Sequence, residues 1–412
     1  MKIKYLALPV CLLFINILSS AQTSGCTDPL ANNFNSSATQ NDGSCTYNQA
    51  LVTPISSFNL AGNLTETSGL ISWNNQIWTH NDSDDLNIYA LDTSNGNILQ
   101  TYSLQGVTNT DWEEISQDED FIYIGDFGNN ANGNRTDLKI LKISKVSILN
   151  GSPVTETINF SYSNQTDFSP TSSNNTDFDC EAFIVASDSI FLFTKQWISN
   201  KTSVYSIPKS PGIYVAKLKL TYDVQGLVTG ATYLESKNLI ALCGYTNQLS
   251  PFLYLLYDFS GFDFFGANKR KINISLPFHQ VEGIATTGGL KYYLSNENFS
   301  KPPFITVPQQ LHILDLNDLL GGYLGNLYNF NETQAINNMT VFPNPATDFI
   351  NFKTNRIDLP SNYRIFNQSG QTVIAGKLTI KNQTINISGL SSGVYILKFN
   401  DDKMQSYKVI KR

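Results

Sequence analysis

The chain has 412 residues, a formal net charge of -7, 15% charged residues and 12% aromatic residues. Nucleic-acid binding and a polybasic membrane contact are excluded, because no large cluster of Lys or Arg occurs. Few ionic residues are typical of extracellular all-β proteins, and the length allows two to three domains.

Residues 1–21 have the features of a secretory signal peptide. Lys2 and Lys4 precede an apolar run from Leu6 to Leu18, and small residues end the segment at Ala21. No later stretch approaches the roughly 20 apolar residues that cross a bilayer. We expect an exported protein without a transmembrane segment.

Residues 22–48 form an Asn/Asp-rich module bracketed by Cys26 and Cys45. Export favours disulfides, so these two cysteines are predicted to pair. The segment resembles a short "GCTDP…DDGSC" motif of exported bacterial surface proteins. Its oxygen donors, Asp28, Asn35 and Asp42, suit calcium, and the alternative is a disulfide-closed spacer.

Two further cysteines, Cys180 and Cys243, lie in the later repeats. They either form a second bridge between adjacent blades or remain buried thiols.

Residues 51–329 contain five copies of a short acidic signature, which begin at Glu66, Asp111, Asp179, Thr229 and Gln280. The apolar residues that close the copies are Leu70, Ile115, Phe183, Tyr233 and Ile284, spaced 45, 68, 50 and 51 residues apart. This spacing fits four-stranded blades arranged radially. The predicted fold is an all-β, five-bladed β-propeller, with a six-bladed propeller as the alternative.

The segments between the copies predict how the ring closes. The fifth blade shows no clear fourth strand after Leu316, and Val52 to Leu60 has the alternation to supply it. Ser163 to Asp177 is predicted to be an exposed loop that partly covers one face.

Residues 337–412 predict a second, small β-sandwich domain. It contains Val341 to Ala346 with a Pro-Asn-Pro turn, Ser388-Gly389-Leu390, Gly393-Val394-Tyr395 and a basic end at Arg412. Residues 339–412 closely resemble the type A sorting domain of the type IX secretion system. The resemblance implies that the type IX machinery is a partner, that the protein passes through the periplasm and the outer membrane, and that this domain is removed with release or surface attachment.

Acidic residues recur where the inner strands of a propeller face the central channel. They are Glu66, Asp111, Glu113, Asp179, Glu181 and Glu282. Carboxylates packed this closely repel one another, so we expect a bound cation or raised pKa values. Calcium fits best because it accepts many oxygen ligands. Alternatively, the acids cap strand amides or pair with neighbouring blades.

A second ring of variable residues follows the second strands. Asp126 and Arg135 are candidates to hold an anionic ligand beside a cation, and His80 is a candidate general base. Lys195 is the fourth candidate, because it could orient an anion. The alternatives are a tight turn around Gly128 and a structural histidine.

The propeller segments around Asp111-Trp112-Glu113, Asp179-Cys180-Glu181 and Glu282-Gly283 resemble phytase-like and esterase-like exported propellers. The resemblance implies calcium-dependent hydrolysis, although phytases also have a basic cleft, for which this chain offers only Arg135, Lys195 and Lys201. We therefore expect a secreted or cell-surface binding protein, stabilised by a cation, for a glycan or a small anionic ligand. Trp73, Trp197 and Tyr245 are the aromatic residues expected to stack on a glycan. The alternative function is a calcium-dependent hydrolase of phosphoesters or esters.

Overall fold

The structure is a computed structural model that describes residues 22–325, 340–353, 361–367, 371–378, 382–400 and 406–412. The predicted signal peptide, residues 1–21, lies outside the described residues. The chain divides into two compact units, Met1–Gly322 and Tyr323–Arg412. Within the described ranges, no helix has the length and apolar character needed to cross a membrane.

The first unit is built from short strands, as the alternating apolar residues predict. Four strands precede the first repeat: β1 (Ser24–Gly25), β2 (Gln40–Asn41), β3 (Ala50–Val52) and β4 (Ser56–Asn59). Blade 1 comprises β5 (Ile71–Trp73), β6 (Gln76–Thr79), β7 (Asn87–Leu91) and β8 (Ile98–Ser103). Blade 2 comprises β9 (Trp112–Gln117), β10 (Phe121–Asp126), β11 (Lys139–Ser144) and β12 (Thr155–Tyr162), with helix α1 (Lys145–Leu149) before β12.

The remaining sheets of this unit repeat the same order. Blade 3 comprises β13 (Asp179–Ala186), β14 (Ser189–Lys195), β15 (Thr202–Pro208) and β16 (Gly212–Tyr222). Blade 4 comprises β17 (Leu227–Leu234), a 3₁₀ turn (Glu235–Lys237), β18 (Leu239–Tyr245), β19 (Pro251–Tyr257) and β20 (Asn268–Ile274). Blade 5 comprises β21 (Val281–Thr286), β22 (Lys291–Asn296), a hairpin of β23 (Phe299–Lys301) and β24 (Ile305–Val307), and β25 (Gln310–Asp315). Residues 317–325 are helical.

The ring closes through β4, which pairs antiparallel with β25 and gives blade 5 its fourth strand. This confirms the closing role predicted for Val52 to Leu60. The inner strands β5, β9, β13, β17 and β21 contact one another in cyclic order, with β21 returning to β5. The all-β fold is as predicted, and these five sheets are consistent with five blades.

Three outer blade edges are covered. Strand β12 pairs in parallel with β16, which joins blades 2 and 3, and β3 pairs in parallel with β20 of blade 4. An uncovered edge strand is a template for pairing with other chains, so this cover protects the protein from aggregation.

The cores lie between neighbouring sheets. Trp78 and Trp112 are fully buried in the cluster between blades 1 and 2, and Phe127 and Phe183 in that between blades 2 and 3. Burial of large aromatic side chains is the main stabilising contribution of such interfaces.

The N-terminal module packs on blade 4 within the same unit. The predicted disulfide between Cys26 and Cys45 is present. The Asp28 carboxylate accepts hydrogen bonds from the hydroxyls of Tyr47 (2.8 Å) and Tyr257 (2.5 Å). The module is therefore held to blade 4 by a buried acid rather than joined to it by a flexible spacer alone.

The possible second bridge, Cys180 to Cys243, does not form, and both residues are buried free thiols. The Cys180 thiol lies 3.6 Å from the carbonyl oxygen of Phe193 in its own blade, whereas that of Cys243 lies 3.7 Å from the carbonyl oxygen of Glu282 in blade 5. The two side chains therefore pack against different strands, and the alternative of buried thiols holds.

The second unit has two sheets around one small core. Its strands are β26 (Thr340–Phe342), β27 (Phe349–Lys353), β28 (Ser361–Phe366), β29 (Thr372–Leu378), β30 (Asn382–Asn386), β31 (Gly393–Asn400) and β32 (Ser406–Lys411). The sheet β26-β27-β30 and the sheet β29-β28-β31-β32 share buried Ile350, Ile365 and Leu397. This is the small β-sandwich that the alternation predicts.

Candidate functional site

A β-bulge occurs at the same place in the inner strands of blades 2 to 5. The pairing with the second strand skips Glu113, Glu181, Thr229 and Glu282. A bulge re-aims the side chain of the extra residue. Each of the three glutamates lines a cavity at the mouth of the channel, together with Ser68 from blade 1.

The bulge residue of blade 4 lies two residues before the position that the sequence repeats predict. The repeat alignment placed Ala231 in register with Glu113, whereas the bulge residue is Thr229. Blade 4 has no acid in its signature, so the alignment rested on Tyr233, which lies two residues beyond the apolar position that Ile115 occupies in blade 2.

The cavity has a volume of about 150 Å³ and a strongly acidic lining. Lys195 is the one basic residue among the described residues that line it. The complete lining is Glu66, Thr67, Ser68, Asp82, Glu113, Asn130, Asn174, Glu181, Lys195, Trp197, Tyr245, Gln280, Glu282 and Glu297. Asn174 belongs to the loop predicted over Ser163 to Asp177, and its N–H donates to the carbonyl oxygen of Asn130 at 2.8 Å.

The acids of blades 2 and 3 form the densest group. Oxygen atoms of Glu113, Asp179 and Glu181 lie within 4.8 Å of one another. Asp179 accepts hydrogen bonds from the N–H of Asn129 (2.5 Å) and from Nε1 of Trp197 (2.7 Å). Its two oxygens therefore already have donors.

The loop after β10 has a glycine where the carboxylates approach the backbone. A Cβ at Gly128 would overlap both Glu113 Oε1 and Asp111 Oδ2. Asp111 thus lies beside Glu113, and all six acids predicted to face the channel are near its mouth. Their role as metal ligands remains a prediction.

Of the four catalytic candidates, Lys195 lines the cavity. Asp126 is fully buried and pairs with Arg135 and Lys139, each at 2.8 Å. Arg135 also donates to the carbonyl oxygen of Gly128 (2.8 Å) and to Asp137 (3.0 Å). The guanidinium is therefore committed to the protein and does not line the cavity.

His80 is buried, and its Nδ1 donates to the carbonyl oxygen of Asn81 at 3.0 Å. Burial lowers the pKa of His80 to about 4. It packs edge-on against Trp112 and is absent from the cavity lining. This placement fits the structural alternative.

Burial raises the pKa of Asp82, Glu181, Glu282 and Glu297; repulsion from neighbouring acids adds to the shift, and Lys195 opposes it at all of them except Asp82. The pKa rises to about 8 for Asp82 and Glu282 and to about 7 for Glu297. For Glu181, burial outweighs the opposing effect of Lys195, and the pKa is about 7. Near neutral pH this cavity therefore holds protons unless a cation replaces them.

Lys195 responds in the opposite direction. Burial lowers the pKa of its ammonium, but nearby carboxylates, Glu181 first, outweigh burial and the net shift is upward. The residue is therefore a fixed positive charge.

Glu282 has an oxygen that the protein leaves without a donor. The residue is 6% exposed, and its Oε2 is buried without a hydrogen-bond partner in the described part of the chain. An unpaired buried carboxylate is costly, so this atom marks where a cation or a donor from a ligand would bind.

The sequence alone did not predict a role for Glu114. Its side chain is buried, with Oε1 accepting from the N–H of Ile115 (3.0 Å) and Oε2 from that of Ala231 (2.6 Å). The available signal was the double acid Glu113-Glu114, which the other copies lack.

The geometry defines an all-β protein of propeller type with an acidic channel mouth. Residues 340–412 match the family model described as the secretion system C-terminal sorting domain. The protein is thus secreted or displayed at the cell surface by the type IX system. A search of curated proteins returned no match.

Solved structures give weak similarities. PorZ of Porphyromonas gingivalis, described as an essential bacterial surface component of the type-IX secretion system, is 11% identical with a TM-score of 0.30, over 84% of this chain and 45% of that chain. This chain thus spans less than half of the PorZ structure. The RRP9 WD40 repeats are 9% identical with a TM-score of 0.35, over 65% of this chain and 99% of that chain. U3-55K is 9% identical with a TM-score of 0.29, over 61% of this chain and 68% of that chain. Similarities of this size carry no argument about activity.

Proposed function

We propose that this exported protein is a binding protein whose channel mouth takes a divalent cation, calcium by preference, and with it a small anionic ligand. The observation that carries the proposal is the buried Oε2 of Glu282, which has no hydrogen-bond partner among the described residues; Oδ1 of Asp82, in the same lining, also lacks one. A cation would supply the missing contact.

The chemistry of the lining supports calcium. Six carboxyl groups and the amides of Asn130, Asn174 and Gln280 face the cavity, and neither His nor Cys is among its described lining residues. Oxygen donors of this kind suit calcium, whereas zinc and copper prefer nitrogen and sulfur.

The small volume and Lys195 favour an anionic ligand over a glycan. The ammonium of Lys195 lies 4.7 Å above the ring of Trp197 and 5.3 Å above that of Tyr245, so it covers the faces on which a sugar would stack. Trp73 packs 4.8 Å from Trp78 and belongs to the core between blades 1 and 2. An anion held between a cation and Lys195 fits this arrangement.

A calcium-dependent hydrolase is the second candidate. It is favoured by Glu181, which lines the cavity with a pKa of about 7 and could exchange a proton with water during turnover. The resemblance to phytase-like and esterase-like propellers remains a prediction. In this proposal Glu181 replaces His80 as the base.

Calorimetry with calcium chloride on the full exported chain tests the binding proposal. We expect Glu282→Gln to weaken calcium binding by at least about tenfold. Glu235→Gln, at an exposed acid in the 3₁₀ turn, is the matched control and should bind as the wild type does. Absence of binding to the wild type, or equal affinity in all three proteins, would refute the proposal.

Turnover separates the two candidates. A panel of phosphoesters and lactones is offered with calcium or with a chelator. Calcium-dependent hydrolysis that Glu181→Gln abolishes supports the hydrolase, and calcium binding without turnover supports the binding protein.

We also propose that the type IX machinery removes residues 340–412 during export. Intact-mass measurement of the protein outside the cell tests this. A mass lower by the sorting domain supports removal, and the full mass contradicts it.

A further inference from the structure

The acids around the cavity divide into two groups with different partners. We call Glu113, Asp179 and Glu181 the lysine half, because Lys195 lies against them from blade 3. We call Glu66, Asp82, Glu282 and Glu297 the open half; they come from blades 1 and 5. All of these acids except Asp179 line the same cavity.

In the lysine half, the protein already supplies a positive charge. The ammonium of Lys195 lies 3.1 Å from Glu181 Oε1, and the residue is only 4% exposed. The rings of Trp197 and Tyr245 also contact this ammonium, so its position is fixed on three sides. Together with the two N–H donors to Asp179, this leaves the group little capacity for a metal ion.

In the open half, the described residues supply no cation in contact with the acids, and Lys195 acts on Glu282 and Glu297 only through a Coulomb effect that opposes the rise in their pKa. Among the described residues, none of its four acids makes an ion pair with Lys, Arg or His. Glu66 Oε2 accepts from the Ser83 hydroxyl at 2.7 Å. Within the described part of the chain, Glu282 Oε2 is buried without a hydrogen-bond partner, and Glu282 lines the cavity. The unmet demand for positive charge is therefore on this side.

We infer that Lys195 is a resident cation that fills the lysine half, and that the metal ion binds in the open half, with Glu282 as a ligand. The inference rests on the proposed function and places its metal on the side of the cavity that Glu282 lines. It follows that removal of the ammonium creates a second metal site, because Glu113, Asp179 and Glu181 are close enough to share one ion.

A calorimetric titration of the full exported chain with calcium chloride tests the inference, because it measures how many calcium ions each variant binds. Any ion held by the N-terminal module is common to all variants, so relative to the wild type we expect one additional ion for Lys195→Met and none for Lys195→Arg, which keeps the charge. The double variant Lys195→Met with Glu282→Gln should bind as many ions as the wild type, with the cavity ion now in the lysine half. Methionine is chosen because its apolar stem retains the packing against Trp197.

The failure of the inference differs from that of the proposed function. No ion in the wild type refutes the proposed function. Equal stoichiometry in the wild type and in folded Lys195→Met leaves the proposed function standing and overturns the inference.

If Lys195→Met does not fold, a second comparison tests whether the metal ion binds in the open half. In the wild-type background, Glu282→Gln should weaken calcium binding at least about tenfold more than Glu113→Gln does. An equal or reversed order overturns the assignment to the open half. Circular dichroism of both variants shows whether they have folded.

Discussion

Glu114 Oε2 accepts a 2.6 Å hydrogen bond from the backbone N–H of Ala231, which lies 117 residues later in the chain. The carboxyl thus connects the inner strand of blade 2 with that of blade 4. A Cβ at Gly69, in blade 1, would overlap Glu114 Oε1, so blade 1 also approaches this group closely. One side chain therefore contributes to the packing of three blades.

We expect Glu114→Gln to lower the free energy of unfolding by about 2 kcal/mol, because one buried N–H loses its acceptor. Chemical denaturation of the full chain measures this effect. Glu235→Gln, at the exposed acid, serves as the control and should change stability little. A Glu114→Gln protein as stable as the control would show that the hydrogen bond to Ala231 contributes nothing.

The stability of the calcium-free protein should fall as pH rises from about 5 to 8. The folded-state pKa of Glu282 is about 8 against an ordinary value of 4.5, so folding favours its protonated form. That contribution is complete below the ordinary value and is lost as pH rises to the folded value. Glutamine does not titrate, so Glu282→Gln should show a shallower pH dependence. Denaturant unfolding at several pH values with a chelator measures both slopes; identical slopes would contradict the raised pKa.

Gly128→Ala should disturb the cavity, because the added Cβ would overlap Glu113 Oε1 and Asp111 Oδ2. We expect a loss of about 1 to 3 kcal/mol in stability, as found for overpacking. Gly62→Ala is the matched control, since a Cβ there meets no atom within 4 Å. Thermal unfolding of both proteins checks the difference, and a Gly128→Ala protein that melts with the control would argue against the close approach.

Asp28→Asn should loosen the N-terminal module from blade 4. Tyr47 and Tyr257 would lose a charged acceptor that both hydroxyls share, and hydrogen bonds to charged groups contribute about 1.5 to 3 kcal/mol. Limited proteolysis should then cut residues 22–50 faster while the rest of the unit resists. Asp92→Asn, at a hairpin acid in blade 1 that bonds only to its own turn, is the control. Equal cleavage rates would mean that Asp28 does not hold the module.

Much of the fold could be predicted, because strand alternation and turn residues are local signals. The strand Asn87–Leu91 and the closing role of Val52 to Leu60 are examples. What failed depended on register. Blades 2 to 5 share a β-bulge at the same place, but blade 4 has no acid to mark it, so no local signal identified Thr229 as its bulge residue.

Register also limited the prediction of the site residues on the second strands. Asp126 and Lys195 stood in one predicted ring, yet Asp126 pairs with the residue before the bulge and Lys195 lies one position further along. That single step buries Asp126 beside Arg135 and leaves Lys195 on the cavity wall. The unpaired Oε2 of Glu282 depends on side-chain packing between blades, which periodicity does not encode.

The pairing of β4 with β25 determines when the propeller can close during synthesis. The ribosome makes Ser56–Asn59 early and Gln310–Asp315 more than 250 residues later. Strand β4 therefore has no β25 to pair with until synthesis of the propeller is almost complete. Contacts this distant form slowly. The nascent chain is consequently an open ribbon until its final blade exists, and any truncation before that blade leaves a ring that cannot shut.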